Sequence, residues 1–144
     1  MCFVIDPLIP NLAPLREDIW VREEFLMGYF RDLREHIAAL DQAGLLVKID
    51  EQINKDTELM PLVRWQFRGL SEEERRAFMF TNVIDAKGRK YDIPVVVGTL
   101  AASRQIYGFG LQCKPEEIVD RWNKAQSSPI APKIVDSAPV HEVV

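Results

Sequence analysis

A chain of 144 residues, 47% apolar and 28% charged, is long enough for one packed domain and too hydrophobic to remain disordered. Its formal charge of −4, with no run of Lys or Arg, lacks the basic footprint that a phosphate backbone demands, so no nucleic acid partner is expected. Cys2 and Cys113 stand far apart and outside any CxxC pairing, which argues against a disulfide framework and for free thiols in a reducing compartment.

Met1 to Pro14 is apolar, but it has no basic start and is broken by Pro7, Pro10 and Pro14. That pattern fits neither a signal-peptide core nor a spanning helix, so a cytoplasmic protein with no membrane partner is expected. Proline removes backbone donors, so the arm Phe3 to Leu15 should lie extended against a surface rather than join a central strand. Leu15, Ile19, Leu26 and Phe30 recur near helical spacing and predict a short amphipathic helix over Asp18 to Tyr29. Residues 1–30 thus form an arm and a short helix ahead of an α/β domain over residues 31–128.

Within that domain, Asp32 with Glu35 three positions on starts a helix. Leu33, Ile37 and Leu40 make its apolar face and Gly44 its left-handed stop. Leu45 to Ile49 reads as a strand. A second helix can start at Asp56 or Thr57 and run to Phe67 with Gly69 as terminator, either beginning late or kinking because Pro61 constrains its first turn. Ser71 and Glu74 form a capping box for a short polar helix, "SEEERRA". Phe78 to Val83 alternates as a strand, Asp85 to Gly88 as a turn, and the unbroken Val95-Val96-Val97 suggests a strand covered on both faces.

Ala101 to Phe109 predicts a helix with Gly108 and Gly110 at its end. Pro115 opens another, with Ile118, Val119, Trp122 and Ala125 inward. Beyond "SSP", Pro129, Pro132 and Pro139 allow only extended structure, and the pattern closes on an apolar strand, Val140 to Val144, with no turn or cap behind it. Residues 129–144 therefore read as a linker and strand leading into a further region. The fold class is α/β, a small mixed sheet from Leu45–Ile49, Phe78–Val83, Pro94–Val97 and Val140–Val144 with helices packed on it.

Chemistry-bearing motifs are sparse. The passage from "VVVG" into a helix invites comparison with a phosphate cradle, but a Walker loop needs Lys and Ser/Thr after its glycines and a dinucleotide loop needs GxGxxG. Gly98 stands alone, so a scaffold turn is the expected role, with Thr99, Ser103 and Arg104 left able to meet an anion at a helix start. His36 lies on or beside an apolar helix face and reads as a packing residue rather than a base. As a metal set, Cys2, His36, Cys113 and His141 share only their residue types, with no ligand spacing. Glu58, Glu74 and Glu116 open expected helices, where a carboxylate suits the positive dipole end. Arg104 is the residue best placed to touch a neighbouring domain, most simply through a salt bridge. No residue is assigned a catalytic, cofactor-binding or metal-binding role.

"DLREHIAALDQAGLLVKIDEQIN" is similar to the opening of the UbiD-like decarboxylases, with its capped helix, glycine, strand and acidic continuation. The order then matches through Asp56–Phe67, Phe80–Val83, Pro94–Leu100, Ser103-Arg104, the glycines to Gly110 and "APVHEVV" from Ala138. The resemblance covers about Arg31 to Val144 and implies the N-terminal domain type of that family. Departures are the arm Met1 to Met27, Thr99 in place of an asparagine, and a long "RGLSEEERRA" connection.

The resemblance implies a non-oxidative decarboxylase, or reversible carboxylase, of an aromatic or α,β-unsaturated acid. It also implies prenylated FMN with a divalent metal (Mn or Mg) and potassium, held by a downstream region or a partner chain. Loss of CO₂ from an sp² carbon leaves an unstable anion, which is why such chemistry needs a cofactor to take up charge. Under this reading the chain is the structural and interface part of an oligomeric carboxy-lyase, inactive alone. The alternative is a stand-alone α/β binding or regulatory module without that chemistry.

Overall fold

The structure is a computed structural model that describes residues 29–138. The arm, all but the last residue of the helix expected over Asp18–Tyr29, and the strand expected at Val140–Val144 lie outside the described residues. The element order is α1 (Leu33–Gln42), β1 (Leu46–Ile49), β2 (Ile53–Asn54), α2 (Leu59–Gly69), β3 (Ala77–Phe80), β4 (Val83–Ile84), β5 (Lys90–Tyr91), β6 (Val95–Val97), α3 (Arg104–Leu111) and α4 (Ile118–Ser127), with a 3₁₀ turn at Pro115–Glu117 before α4.

The strands form two small mixed sheets rather than one. In the first, β3 lies between β1, parallel to it, and β6, antiparallel to it; in the second, β4 lies between parallel β2 and antiparallel β5. The run Phe78–Val83 expected as a single strand is divided between the sheets. At the division the Thr81 hydroxyl donates to Asp50 Oδ1 at 2.5 Å, while Ile53 N–H donates to the Asn82 carbonyl at 3.0 Å. Those bonds carry both parallel pairs through one shared bend.

Side chains alternate across a strand, so β3 faces two cores. Ala77 packs with Leu40, Leu45, Ala102, Ile106 and Phe109 on the side of α1 and α3. Phe78 and Phe80 stack on the other side with Leu59 and Val63 of α2, Ile53 and Val83. The strand expected to be covered on both faces, Val95–Val97, is instead an outer, half-buried strand of its sheet. The doubly covered position belongs to β3, whose mixed small and aromatic sequence hides the burial that three valines seemed to announce.

The start and the Gly44 stop of α1 and the Gly69 end of α2 follow the sequence, whereas α3 begins at Arg104, capped by Ser103, and not at the expected Ala101. Asp32 caps α1 by accepting from Glu35 N–H at 2.9 Å, and Leu45 N–H closes the end on the Leu40 carbonyl at 2.8 Å across Gly44. The buried stripe of α1 runs through His36 and Leu40, leaving Leu33 exposed. Helix α2 begins at Leu59, late as Pro61 requires: at its third position proline loses only an N–H that has no intrahelical partner. The stretch after Ser71 is a turn and no helix. Glu74 accepts Ser71 N–H at 2.9 Å, so the capping pair exists, but Arg76 must enter β3 at once and no helical turn can follow.

In α3 the two late glycines are inside the helix, and Gln112 makes the left-handed stop at φ 53°. Gly108 is needed for close approach: a Cβ there would lie 2.6 Å from the Cys113 carbonyl oxygen. Helix α4 buries Ile118, whereas Val119 (67% exposed) and Ala125, expected inward, face outward, and Trp122 is 43% exposed with its Nε1–H donating to the Tyr107 hydroxyl of α3 at 2.8 Å.

Two stability predictions follow from this packing. Phe80→Ala should cost about 3–5 kcal/mol in urea unfolding, as for a fully buried aromatic, while Val96→Asp on the outer strand should retain a cooperative transition at room temperature. Gly108→Ala should destabilise by about 1–3 kcal/mol through that backbone clash, and Gln112→Gly should stabilise by up to about 1 kcal/mol by relieving the left-handed cost. Equal effects at 108 and 112 would contradict the assignment of their roles.

Candidate functional site

The loop from Gly98 to Arg104 is where the chain most resembles a binding turn. Gly98 takes φ +77°, with its open side against the Arg76 carbonyl and Ala77, which lets β6 turn back over β3. Ser103 then caps α3, its hydroxyl accepting Ile106 N–H at 3.2 Å. The free N–H of Arg104 at the helix start donates to Glu72 Oε1 at 2.7 Å, and the Arg104 guanidinium reaches both carboxylate oxygens at 3.3 and 3.4 Å. The chain's own carboxylate therefore occupies the place an anion would take at this helix dipole. Gly98 serves a scaffold turn.

His36 holds the same loop from below. Its Nε2 lies 2.8 Å from the Thr99 carbonyl, which can only accept, so Nε2 carries the proton. The ring packs edge-on against Phe30 at 4.8 Å and near Phe109 at 6.1 Å, and Nδ1 is buried without a partner among the described residues. This is a packing residue that pins α1 to the loop, as its place on the helix face suggested.

The other sequence candidates are dispersed. Glu58 Oε2 accepts Asn54 N–H at 2.8 Å, Glu74 accepts from Ser71, and Glu116 stands in the first turn of the 3₁₀ segment. Cys113 is a free, buried thiol that burial pushes up from its ordinary value. Cys2 and His141 lie outside the described residues, so the four-residue metal set stays as its residue types alone. Among the described residues no three His, Cys, Asp or Glu side chains assemble a metal site. The described donor set thus does not fit a flavin phosphate clamped by a metal, and no reaction step is routed through these residues. None of their helices is long and apolar enough to cross a membrane.

Sequence reasoning missed Glu72, which is 32 positions from Arg104, and Gln66, whose buried Oε1 accepts Arg76 N–H at 3.0 Å. No local spacing signals either pair. What the surface offers instead is apolar area in two places. On α4 and the extended segment after it, Val119, Ile130 (96% exposed) and Ile134 (91%) face outward, with part of Trp122; on α2, across the first sheet, Trp65 (63%) and Phe67 do.

A family model described as the 3-octaprenyl-4-hydroxybenzoate carboxy-lyase N-terminal domain matches residues 37–126. The chain belongs to the UbiD family. The match begins inside α1 and ends inside α4, so both sheets, both cores and the Gly98 loop are elements of the UbiD N-terminal domain. No curated protein and no solved structure matches the chain.

Three carboxylates of this UbiD domain that bind backbone N–H groups are held low. Glu72 is held below the ordinary value of 4.5 by the Arg104 N–H and then by its guanidinium, Glu35 by Arg31, and Glu74 by Ser71. A carboxyl depressed in the folded state contributes stability above its unfolded pKa, and that contribution is lost as pH falls through the folded one. Thermal unfolding should therefore shift to lower temperature as pH drops below about 4.5, with Glu72→Gln flattening that dependence. A Glu72 carboxyl resonance titrating at or above the ordinary value by NMR would contradict the role of the Arg104 N–H.

Proposed function

We propose that this chain supplies the N-terminal domain, or a small subunit, of a UbiD-type enzyme that decarboxylates, or reversibly carboxylates, an aromatic or α,β-unsaturated carboxylic acid with prenylated FMN. Its part is fold and interface, and catalysis belongs to a region downstream of this domain or on a partner chain. The family membership supports the reaction class. The observation that carries the interface role is the number of large apolar side chains that α4 and the segment after it leave exposed, Val119, Ile130, Ile134 and Val135 with part of Trp122.

When bound, the flavin supplies the electron sink for the anion left by CO₂ loss, with the metal ion and potassium as its companions. The described residues of this chain would contribute rigidity: the Glu72–Arg104 pair and the His36–Thr99 bond fix the Gly98 loop, and Ile118 seats α4 so that its exposed apolar side chains are presented in one orientation. Arg104, with an exposed side chain, can meet an adjoining domain while still held by Glu72.

The test is co-purification of the tagged chain. We expect it to bring down a larger decarboxylase polypeptide carrying flavin. We also expect the isolated chain, incubated with prenylated FMN and Mn or Mg and desalted, to come out colourless. Replacing Val119 and Ile134 by Asp should abolish the co-purification without unfolding the domain, since both side chains are outside its cores. A stoichiometric yellow complex of the isolated chain that turns over substrate would sink the proposal.

A further inference from the structure

The turn that joins α2 to β3 holds two arginines and gives neither a carboxylate. Arg75 and Arg76 make no ion pair among the described residues, although three glutamates stand directly before them. Those glutamates face elsewhere: Glu72 binds the start of α3, Glu74 accepts Ser71 N–H, and Glu73 is exposed. Arg76 is nonetheless only 5% exposed, and burial pushes its guanidinium below its ordinary value against the nearby charge of Glu74. A guanidinium keeps its proton at any ordinary pH, so a positive charge sits inside the domain and calls for acceptors.

Its acceptors are incomplete. Nη1 of Arg76 donates to the Glu73 carbonyl at 2.7 Å and to the Arg75 carbonyl at 3.0 Å, which uses both of its hydrogens. Nε is buried with no partner, and no described residue bonds Nη2. What remains is the Nε–Nη2 edge of the fork, which takes a carboxylate side-on through two parallel bonds. The two carbonyls already hold the guanidinium, so little freedom is left to lose on binding.

A second donor is fixed by the same residue. Gln66 on α2 is 4% exposed, and its Oε1 accepts the main-chain N–H of Arg76 at 3.0 Å. That bond settles which end of the amide is oxygen and leaves Nε2 buried without an acceptor. Arg75 Nε is a third buried N–H in the same position. Each such group carries a desolvation cost that an acceptor from outside would recover.

We infer that the turn between α2 and β3 is a binding site for a carboxylate, taken side-on by the Nε–Nη2 edge of Arg76 with Gln66 Nε2 and Arg75 Nε as further donors. Its single negative charge matches the one fully buried guanidinium, whereas a dianion would stand against Glu72 and Glu74 of the same turn. The site needs neither flavin nor metal and so goes beyond the carboxy-lyase reading. A free acid and an acidic side chain of an adjoining polypeptide offer the same group, and the experiment separates them.

Sodium acetate titrated into the 144-residue chain, replacing chloride at constant ionic strength, tests the site by NMR. The side-chain N–H signals of Gln66 and Arg76 should shift to saturation with one shared midpoint, and the unfolding temperature should rise along the same curve. Arg76→Lys, which keeps the charge and loses the fork, should weaken acetate by about tenfold or more. Arg75→Gln, at a half-buried position, should weaken it less and keeps the test valid if Arg76→Lys folds poorly. If the ligand is a free acid, acetate acts equally on the isolated chain and on the co-purified complex; if it is a partner's side chain, acetate acts on the isolated chain alone. Signals that do not move, that follow chloride equally, or that saturate with sulfate below the acetate midpoint would overturn the proposal.

Discussion

Everything in this domain is arranged about β3. A four-residue strand with neighbours on both sides must satisfy two cores at once, and alternation allows it only if successive side chains suit different partners. Ala77 admits the close approach of α1 and α3, while Phe78 and Phe80 fill the space under α2. The Gly98 loop depends on the same strand. Its positive φ places the glycine's bare side toward Arg76 and Ala77 at ordinary contact distance, and an added Cβ would be strained by that φ and would crowd the Ala102 Cβ of the same loop at 3.1 Å.

Around that centre the polar groups serve positioning. The carboxylates at chain turns bind backbone N–H groups rather than gathering at one point, and the buried imidazole of His36 donates a hydrogen bond to a main-chain carbonyl. This is the polar economy of a scaffold. It agrees with membership of a family whose N-terminal domain is recognisable by its fold elements, and it explains why a residue-by-residue search for acid, base or ligand along this chain returns helix starts and loop ties.

The outward apolar residues are the other side of the same economy. A small domain with two thin cores cannot cover α2 and α4 from within, because each helix has only one face set against its neighbours, β3 for α2 and α3 for α4. Leu59 and Val63 take that face on α2, and Ile118 takes it on α4. What remains exposed on the two helices lies on opposite sides of the domain, which suits two separate contacts better than one.

The sequence by itself determined the features that are local. The Asp32 cap, the Gly44 stop, the late start of α2 before Pro61, the Asp85–Gly88 turn and the strand at Leu46–Ile49 each rest on chemistry within a few residues, and the order of those pieces was enough to place the family. It also settled that Gly98 is no nucleotide loop, since the required neighbours are absent from the chain itself. Only the tertiary structure decided that Phe78–Val83 is shared between two sheets, that Val95–Val97 is an outer strand, and that Gly108 and Gly110 sit within α3. It alone decided that Val119 faces outward, and that Glu72 occupies the helix start. In three of these cases the deciding partner is distant in sequence: Asp50 for Thr81, β3 for the valines, Glu72 for Arg104. For Gly108 it is a backbone carbonyl just beyond the helix. Periodicity reports that a side chain is apolar, but which element comes to cover it is fixed by contacts that no local pattern contains.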